Sequence, residues 1–450
     1  MLLCAKYIVP ITAEPIKYGA ILVRGGKIRD IGDAEMLRMR YPEEETYDYG
    51  LAALLPGFVD AHTHMEGTAL RGLLRDVPYV PWVMGIHKVN ERLSHAEFYD
   101  SAVVGCLEAV AAGITTIADF SSCGAVVDAV QDTGLRAVVH REVSAMDKRR
   151  VDRAMKNAVS DIEKWVGKVE NSRVYVGIAP GALHVCHPVV YTRCAEYAGN
   201  SLRVAMHLAG SREEFSFVKR GSSAFSVDEM AESRGFVEVP PWLPTGVSPV
   251  QYVLNWGAFD AEKTMAVHLC HVDDYDIAQL KRCGVAAVFS PRAEAQLGMG
   301  ISPITKFKKQ GFRVGLGTDS PSVTDAIDML AETRTGMLFQ RATNKDAFTP
   351  ASDMLEMATL GGARALHLDH LIGSLEVGKY ADIIAVDVSS SRQPASVDVV
   401  SALVNSTTGS DVLMNMVCGK ILYNKGEFNV NVDATQCVEN VQIIRKKLCK

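Results

Sequence analysis

The feature that most constrains this chain is a repeat running between residues 56 and 370, where apolar strand candidates alternate with amphipathic helical stretches. The strand candidates end near His64, Phe120, Arg141, Ala179, His207, His268, Ser290 and Gly317. Between them lie helical patterns such as Ala102 to Ala112, Val151 to Lys168 and Asp273 to Cys283. Eight strand–helix repeats predict an α/β fold of the (β/α)8 TIM-barrel type. A doubly wound open sheet is the alternative, but no glycine-rich nucleotide loop follows the first strand.

The two ends of the chain read differently. Ile21-Leu22-Val23 and the run from Lys27 to Ile31 flank Arg24-Gly25-Gly26, a hairpin signal. The stretches Ala381 to Val386 and Met416 to Tyr423 are also strand-like. We therefore expect a small β-sandwich formed by both chain termini, residues 1–55 and 371–450, with a barrel of residues 56–370 inserted into it. A chain of 450 residues is too long for one simple core, which suits this division.

Composition narrows the function. Hydrophobic residues make up 48% and charged residues 22%, as in ordinary globular proteins. The net charge of −6 argues against nucleic acid or an anionic membrane as a partner. No apolar run is long enough for a membrane span. The start, Met1 to Lys6, has no basic segment ahead of its short apolar run, so it reads neither as a signal peptide nor as a lipoprotein signal at Cys4. A cytoplasmic location is expected. Ten cysteines are scattered with no C-x-x-C pair, which reads as reduced thiols. Cys270, between His268 and His271, is read as packing.

The chemistry begins at Leu55-Pro56-Gly57-Phe58-Val59-Asp60-Ala61-His62-Thr63-His64. An apolar run ends there in two histidines one residue apart, and alternate residues of a strand share a face. Two neutral nitrogens on one rigid element are half of a metal site. Later strand candidates end at His207 and His268, and Asp319 follows the eighth. TIM barrels place their chemistry at the C-terminal ends of the strands. Five residues of ligand type at those ends point to a metal-dependent enzyme.

His-x-His, two later strand-end histidines and Gly317-Thr318-Asp319 together resemble the amidohydrolase superfamily. More narrowly, they are similar to its chlorohydrolase and aminohydrolase branch, which deaminates adenosine derivatives, guanine and triazines. Gly373 to Ile383 resembles the same family's return into the sandwich. The stretches His64-Met65-Glu66, Leu70 to Leu74, Gly246 to Val250 and Ser290-Pro291-Arg292 resemble deaminases of adenosine-like nucleosides, aminofutalosine deaminases among them. The resemblance implies one divalent metal ion held by His62, His64, His207 and Asp319, zinc first, with iron or manganese as alternatives. No lysine ends the fourth strand, so a second ion bridged by a modified lysine is not expected. Such an ion lowers the pKa of a bound water from about 15.7 to about 7. By the same resemblance Asp319 accepts the water's proton and His268 orients the nucleophile. The reaction implied is hydrolytic deamination of an aminated heterocycle, with a homo-oligomer expected by analogy.

Three substrate-facing loops depart from that pattern. Relatives carry a proton-shuttling glutamate three residues after the fifth-strand histidine; here that position is Gly210. After the seventh strand Ala293-Glu294 replaces a Ser-Asn pair, and after the fourth Gly181-Ala182-Leu183-His184 replaces a His-Ala-Pro-Tyr string. Glu294 is the leading candidate to supply the missing carboxyl group, with Glu213 and Glu214 behind it as surface carboxylates or acids. Three residues are substrate-contact candidates: Trp82 for stacking on a ring, Arg141 for a ribose hydroxyl or carboxylate, and His184. The alternatives are helix packing for Trp82 and a salt bridge for Arg141. Two competing functions stay open. One is displacement of halide or alkylamine from a triazine-like ring, which needs no leaving-group acid. The other is a catalytically silent scaffold, which the retained ligand set disfavours.

Overall fold

The computed structural model describes residues 1–169, 173–222, 224–226, 243–344, 348–390 and 398–449. Eight parallel strands run Phe58–Thr63, Ile114–Ser121, Arg136–Val143, Val174–Pro180, Arg203–Leu208, Lys263–His268, Ala286–Phe289 and Val314–Leu316. Each ends within two residues of the end read from the sequence. Each pairs with the next in chain order. The ring is nearly closed by a parallel bridge between Thr63 and Asp319, where the Asp319 N–H donates to the His62 carbonyl at 2.9 Å. This is the expected (β/α)8 barrel.

The helices form where local chemistry favours them. Lys148–Val169 buries Val151, Met155, Ala158, Ile162, Trp165 and Val169, a stripe at helical spacing. His95–Ala111 opens with a capping box between Ser94 and Glu97, and Asp274–Arg282 with one between Asp273 and Asp276.

Both chain ends build one mixed sheet of nine strands. Its central pair joins Ala52–Pro56 antiparallel to Ile383–Asp387. The predicted hairpin pairs Ile16–Arg24 with Lys27–Asp33, and the sheet curls so that the turn meets the far side. There Ala381 N–H donates to the Gly26 carbonyl at 2.9 Å, and Ile28 N–H to the Lys379 carbonyl at 3.0 Å. The expected sandwich is thus a single curled sheet around Leu3, Ile21, Leu54, Ile383 and Met414.

The C-terminal stretch contributes more than sheet. Ala434–Leu448 buries Cys437, Val441, Ile444 and Leu448, again at helical spacing. This face packs on His95–Ala111 and shares a cluster with Ala69 and Leu70 beside the barrel mouth. Sheet and barrel are also joined beneath the third strand. There Arg136, buried, donates from Nε to Asp382 Oδ2 at 2.8 Å and from a second nitrogen to Oδ1 at 3.2 Å. Asp382 also accepts from the Cys418 N–H at 2.8 Å, so this buried charge is fully partnered.

Candidate active site

At the C-terminal mouth of the barrel the strand ends aim their side chains inward. His62 and His64 leave the first strand and turn, His207 the fifth, His268 the sixth, and Asp319 follows the eighth. His64 Nε2 and His207 Nε2 lie 3.3 Å apart. His62 Nε2 is 3.6 Å and His64 Nε2 3.8 Å from Asp319 Oδ1, and His268 Nε2 is 4.0 Å from Oδ2. Ligand atoms within 4.8 Å of one another occur in two overlapping sets, His62–His64–His207 and His62–His268–Asp319.

Buried carboxylates hold these ends in register. Asp60 accepts from the Thr318 N–H at 2.9 Å and its hydroxyl at 2.6 Å, tying the loop of Asp319 to the first strand. Asp119 accepts from the Thr63 hydroxyl and the Met65 N–H, both at 2.7 Å, fixing the turn after His64. A Cβ at Gly317 would stand 2.6 Å from His62 Cβ, so only glycine lets the eighth strand approach the first this closely. Asp319 and His268 carry φ values of 60° and 78°, the strained left-handed backbone that accumulates at functional sites.

The electrostatics favour an ion. Burial pushes His62 down; burial and the His62 charge push His64 down to about 3; burial, His62 and His64 push His207 well down. All three are neutral imidazoles at pH 7, the form a metal requires. Burial opposes ionisation of Asp319, but His62, its Nε2 3.6 Å from Oδ1, and then His268 and His64 hold it well below the usual carboxylate range. Both ring nitrogens of His62 are buried without a hydrogen-bond partner, which is costly unless something fills the gap. Two nitrogens sharing a tetrahedral zinc at about 2.0–2.1 Å lie about 3.3 Å apart, the spacing of His64 and His207. The donor set and its unpartnered atoms fit a borderline divalent ion.

A cavity of about 170 Å³ opens above the cluster. Trp82, Tyr79, Phe120, His184 and Met299 line it, together with Glu66 and Glu142. A larger hollow of about 700 Å³ is lined by Ile11, Ala13, Glu14, Pro15 and Arg341, away from these residues. It contains no histidine or cysteine among its described lining residues, so the smaller cavity is the candidate site.

The structure redistributes the substrate-contact candidates. Trp82 and His184 line the cavity, His184 stacked on Phe225 with ring centres 4.0 Å apart. Arg141 does not line it: its Nε donates to Asp161 Oδ2 at 3.0 Å on the helix side. The neighbouring Glu142 lines the cavity instead, because alternate strand residues face opposite ways. Glu294 is also absent from the wall. It is 1% exposed, and helix Pro291–Gln296 turns it back so that it accepts from the Ser290 N–H at 2.9 Å and the Ser302 hydroxyl at 2.6 Å. It stands behind His268, 3.4 Å from Nδ1. Glu214, read as a surface residue or an acid, is buried and accepts from the Ala209 N–H at 2.8 Å and the Gly210 N–H at 3.3 Å. At Gly210 a Cβ would stand 2.7 Å from the Met299 methyl group, so methionine fills the space beside the position where the family resemblance implies an acid.

Sequence reasoning missed Asp60, Asp119, Glu142 and Met299. Asp60 was visible, two residues before His62 on the same strand face, and Asp119 at the second strand end; Met299 carried no signal at all.

Comparison with known proteins identifies the fold and the family. Structures of similar fold include an adenosine deaminase from Xanthomonas campestris with bound zinc, at TM-score 0.84 and 23% identity, covering 100% of this chain and 98% of that one. Another is atrazine chlorohydrolase from Arthrobacter aurescens TC1 complexed with zinc, at TM-score 0.82 and 20% identity, covering 99% of each chain. The chain is 33% identical over 423 residues to a 5-methylthioadenosine/S-adenosylhomocysteine deaminase of Moorella thermoacetica, covering 93% of each. Residues 19–43 match an imidazolonepropionase-like composite domain of bacteria, and residues 53–422 match the Amidohydrolase family. The chain belongs to the amidohydrolase family.

Proposed function

We infer that this protein is a metal-dependent hydrolytic deaminase of an aminated heterocycle, an adenosine-like nucleoside, purine or pterin. The observation that carries the reading is the convergence of His62, His64, His207 and Asp319 beneath a cavity with flat aromatic walls. Those four residues would hold one divalent ion, zinc by preference. When bound, the ion acts as a Lewis acid and makes water nucleophilic at neutral pH. The chain's own groups do the rest. Trp82 and Phe120 offer apolar faces to a planar ring and exclude water. Asp319 takes a proton from the attacking water as its oxygen bonds to the ring carbon. His268, its Nε2 4.0 Å from Asp319 Oδ2, orients that oxygen. The carbon–nitrogen bond then breaks, and Asp319 returns the proton to the departing amine, which leaves as ammonia.

A second reading has its own support. With Gly210 flanked by the Met299 methyl group, no acid stands there, which suits a leaving group that departs unprotonated, such as halide. A cytoplasmic homo-oligomer completes the proposal; among the described residues no helix is long and apolar enough to cross a membrane.

The test is product release from zinc-loaded protein given 5′-methylthioadenosine, S-adenosylhomocysteine, adenosine, guanine, a pterin and a chlorinated triazine. Ammonia from a purine or pterin is the expected result. Chloride release without ammonia would move the chain to the second reading, and no product from any compound would contradict both.

A further inference from the structure

The steps above leave Glu294 without a part. A carboxylate that is 1% exposed needs compensation, and two of its contacts are conventional, the Ser290 N–H at 2.9 Å and the Ser302 hydroxyl at 2.6 Å. The third is not. Oε1 faces His268 Nδ1 at 3.4 Å, and that buried nitrogen has no hydrogen-bond partner of ordinary geometry. The opposite edge of the ring, Nε2, looks toward Asp319. His268 therefore sits between two carboxylates, one behind it and one at the reaction centre.

The backbone under His268 is strained, with φ of 78° followed by 49° at Leu269. Strain of this kind persists only where the surroundings over-determine it. The Leu269 N–H bond to the Leu208 carbonyl at 3.0 Å and the His271 N–H bond to the Ala209 carbonyl at 2.9 Å fix the main chain. They leave the ring free to rotate and to choose which nitrogen carries the proton.

We propose that Glu294 is the positioning residue of His268: it accepts the Nδ1 proton, sets the tautomer and plane of the ring, and so aims Nε2 at the cavity beside Asp319. This rests on the hydrolytic reading of the site and adds the part that holds one of its groups in place. A carboxylate or carbonyl behind an imidazole is the general means of fixing which nitrogen faces the chemistry. Glu294 does not touch the cavity, so it is not the acid missing at Gly210. Its segment also frames that gap, because the Met299 N–H donates to the Glu294 carbonyl at 2.8 Å.

The experiment uses the zinc-loaded full chain and its Glu294→Ala and Glu294→Gln variants. Glutamine keeps an acceptor toward Ser290 and Nδ1 while its amide turns to the Ser302 oxygen. The first readout is the ¹⁵N-histidine spectrum, with His268→Asn to assign the signal. The parent and Glu294→Gln are expected to hold His268 protonated at Nδ1, and Glu294→Ala to lose that preference. Bound zinc should stay equal to the parent. On the compound turned over in the panel above, kcat should fall about 10- to 100-fold in Glu294→Ala and less than about tenfold in Glu294→Gln, with KM within about twofold. If alanine prevents folding, Glu294→Asp, one carbon shorter, should show the same loss of the Nδ1 tautomer. An unchanged tautomer in a folded variant overturns the proposal. So does a loss of turnover that tracks lost zinc, with turnover per bound ion unchanged. The spectrum needs no substrate, so it decides the role of Glu294 even if the panel finds no turnover.

Discussion

The two ends of the barrel both bury polar groups, and they treat them in opposite ways. Beneath the third strand, Arg136 and Asp382 satisfy each other with two hydrogen bonds, and Asp382 takes a third from Cys418. At the mouth, His62 is equally buried, yet both of its ring nitrogens lack a hydrogen-bond partner. Folding alone explains the lower end. At the upper end an ion held by His62 and its neighbours would complete those atoms, and buried polar groups left unsatisfied are a recognised mark of functional sites.

That contrast can be broken from either side. The largest effect belongs to the lower end. Asp382→Ala strands a buried guanidinium and should cost about 3–5 kcal/mol of stability. Denaturant melts should show this loss, while turnover per folded molecule stays at the parent value. An activity loss beyond the folded fraction would show that the two ends are not separable.

Next is the mouth itself. Gly210→Glu alone drives its side chain into Met299 and should cost about 1–3 kcal/mol by overpacking. Combined with Met299→Ala, the strain should ease, and ammonia release should rise above the parent. A double variant that is stable yet no faster would show that the gap at Gly210 is not a missing acid.

Glu214 gives a pH-dependent effect. Burial raises its pKa from 4.5 to about 7, against its backbone hydrogen bonds from Ala209 and Gly210. The folded protein therefore keeps a proton that the unfolded chain has already released, so stability falls as pH rises from 4.5 to about 7 and levels off above. Glu214→Gln should flatten that fall in melting temperature between pH 5 and pH 7. Parallel curves would place its ordinary carboxylate behaviour beyond doubt.

The smallest effect is at Arg141. Its ion pair with the partly exposed Asp161 is worth less than about 1 kcal/mol. Arg141→Gln should therefore leave KM within about twofold, whereas Glu142→Gln, at the cavity wall, should move it further. The reverse order would restore Arg141 as a substrate contact.

What could be read in advance follows the same division. Strand period and strand ends are backbone properties, so the barrel and the placement of His62, His64, His207, His268 and Asp319 were legible from spacing. The hairpin at Gly25 and Gly26 was legible from its turn residues. Side-chain direction within a strand end was not: a one-residue shift exchanged Arg141 for Glu142. Loops were least legible. Glu294 looked like a pocket residue because its predecessors belong to a pocket motif, but the helix starting at Pro291 folds it behind His268. Met299 reaches Gly210 from another strand's loop, a contact that no local pattern encodes. The helix of residues 434–448 packs beside the barrel mouth because its apolar stripe needs a partner, a choice made by packing rather than by sequence neighbours.

The most direct test is a zinc titration of metal-stripped protein, followed by calorimetry and elemental analysis, on the parent and on His62→Ala. One ion per chain, a raised melting temperature on binding, and loss of both in the folded His62→Ala variant is the predicted result. An ion that binds the variant as tightly as the parent, or a parent that binds none, would contradict the assignment of the barrel mouth as a metal centre.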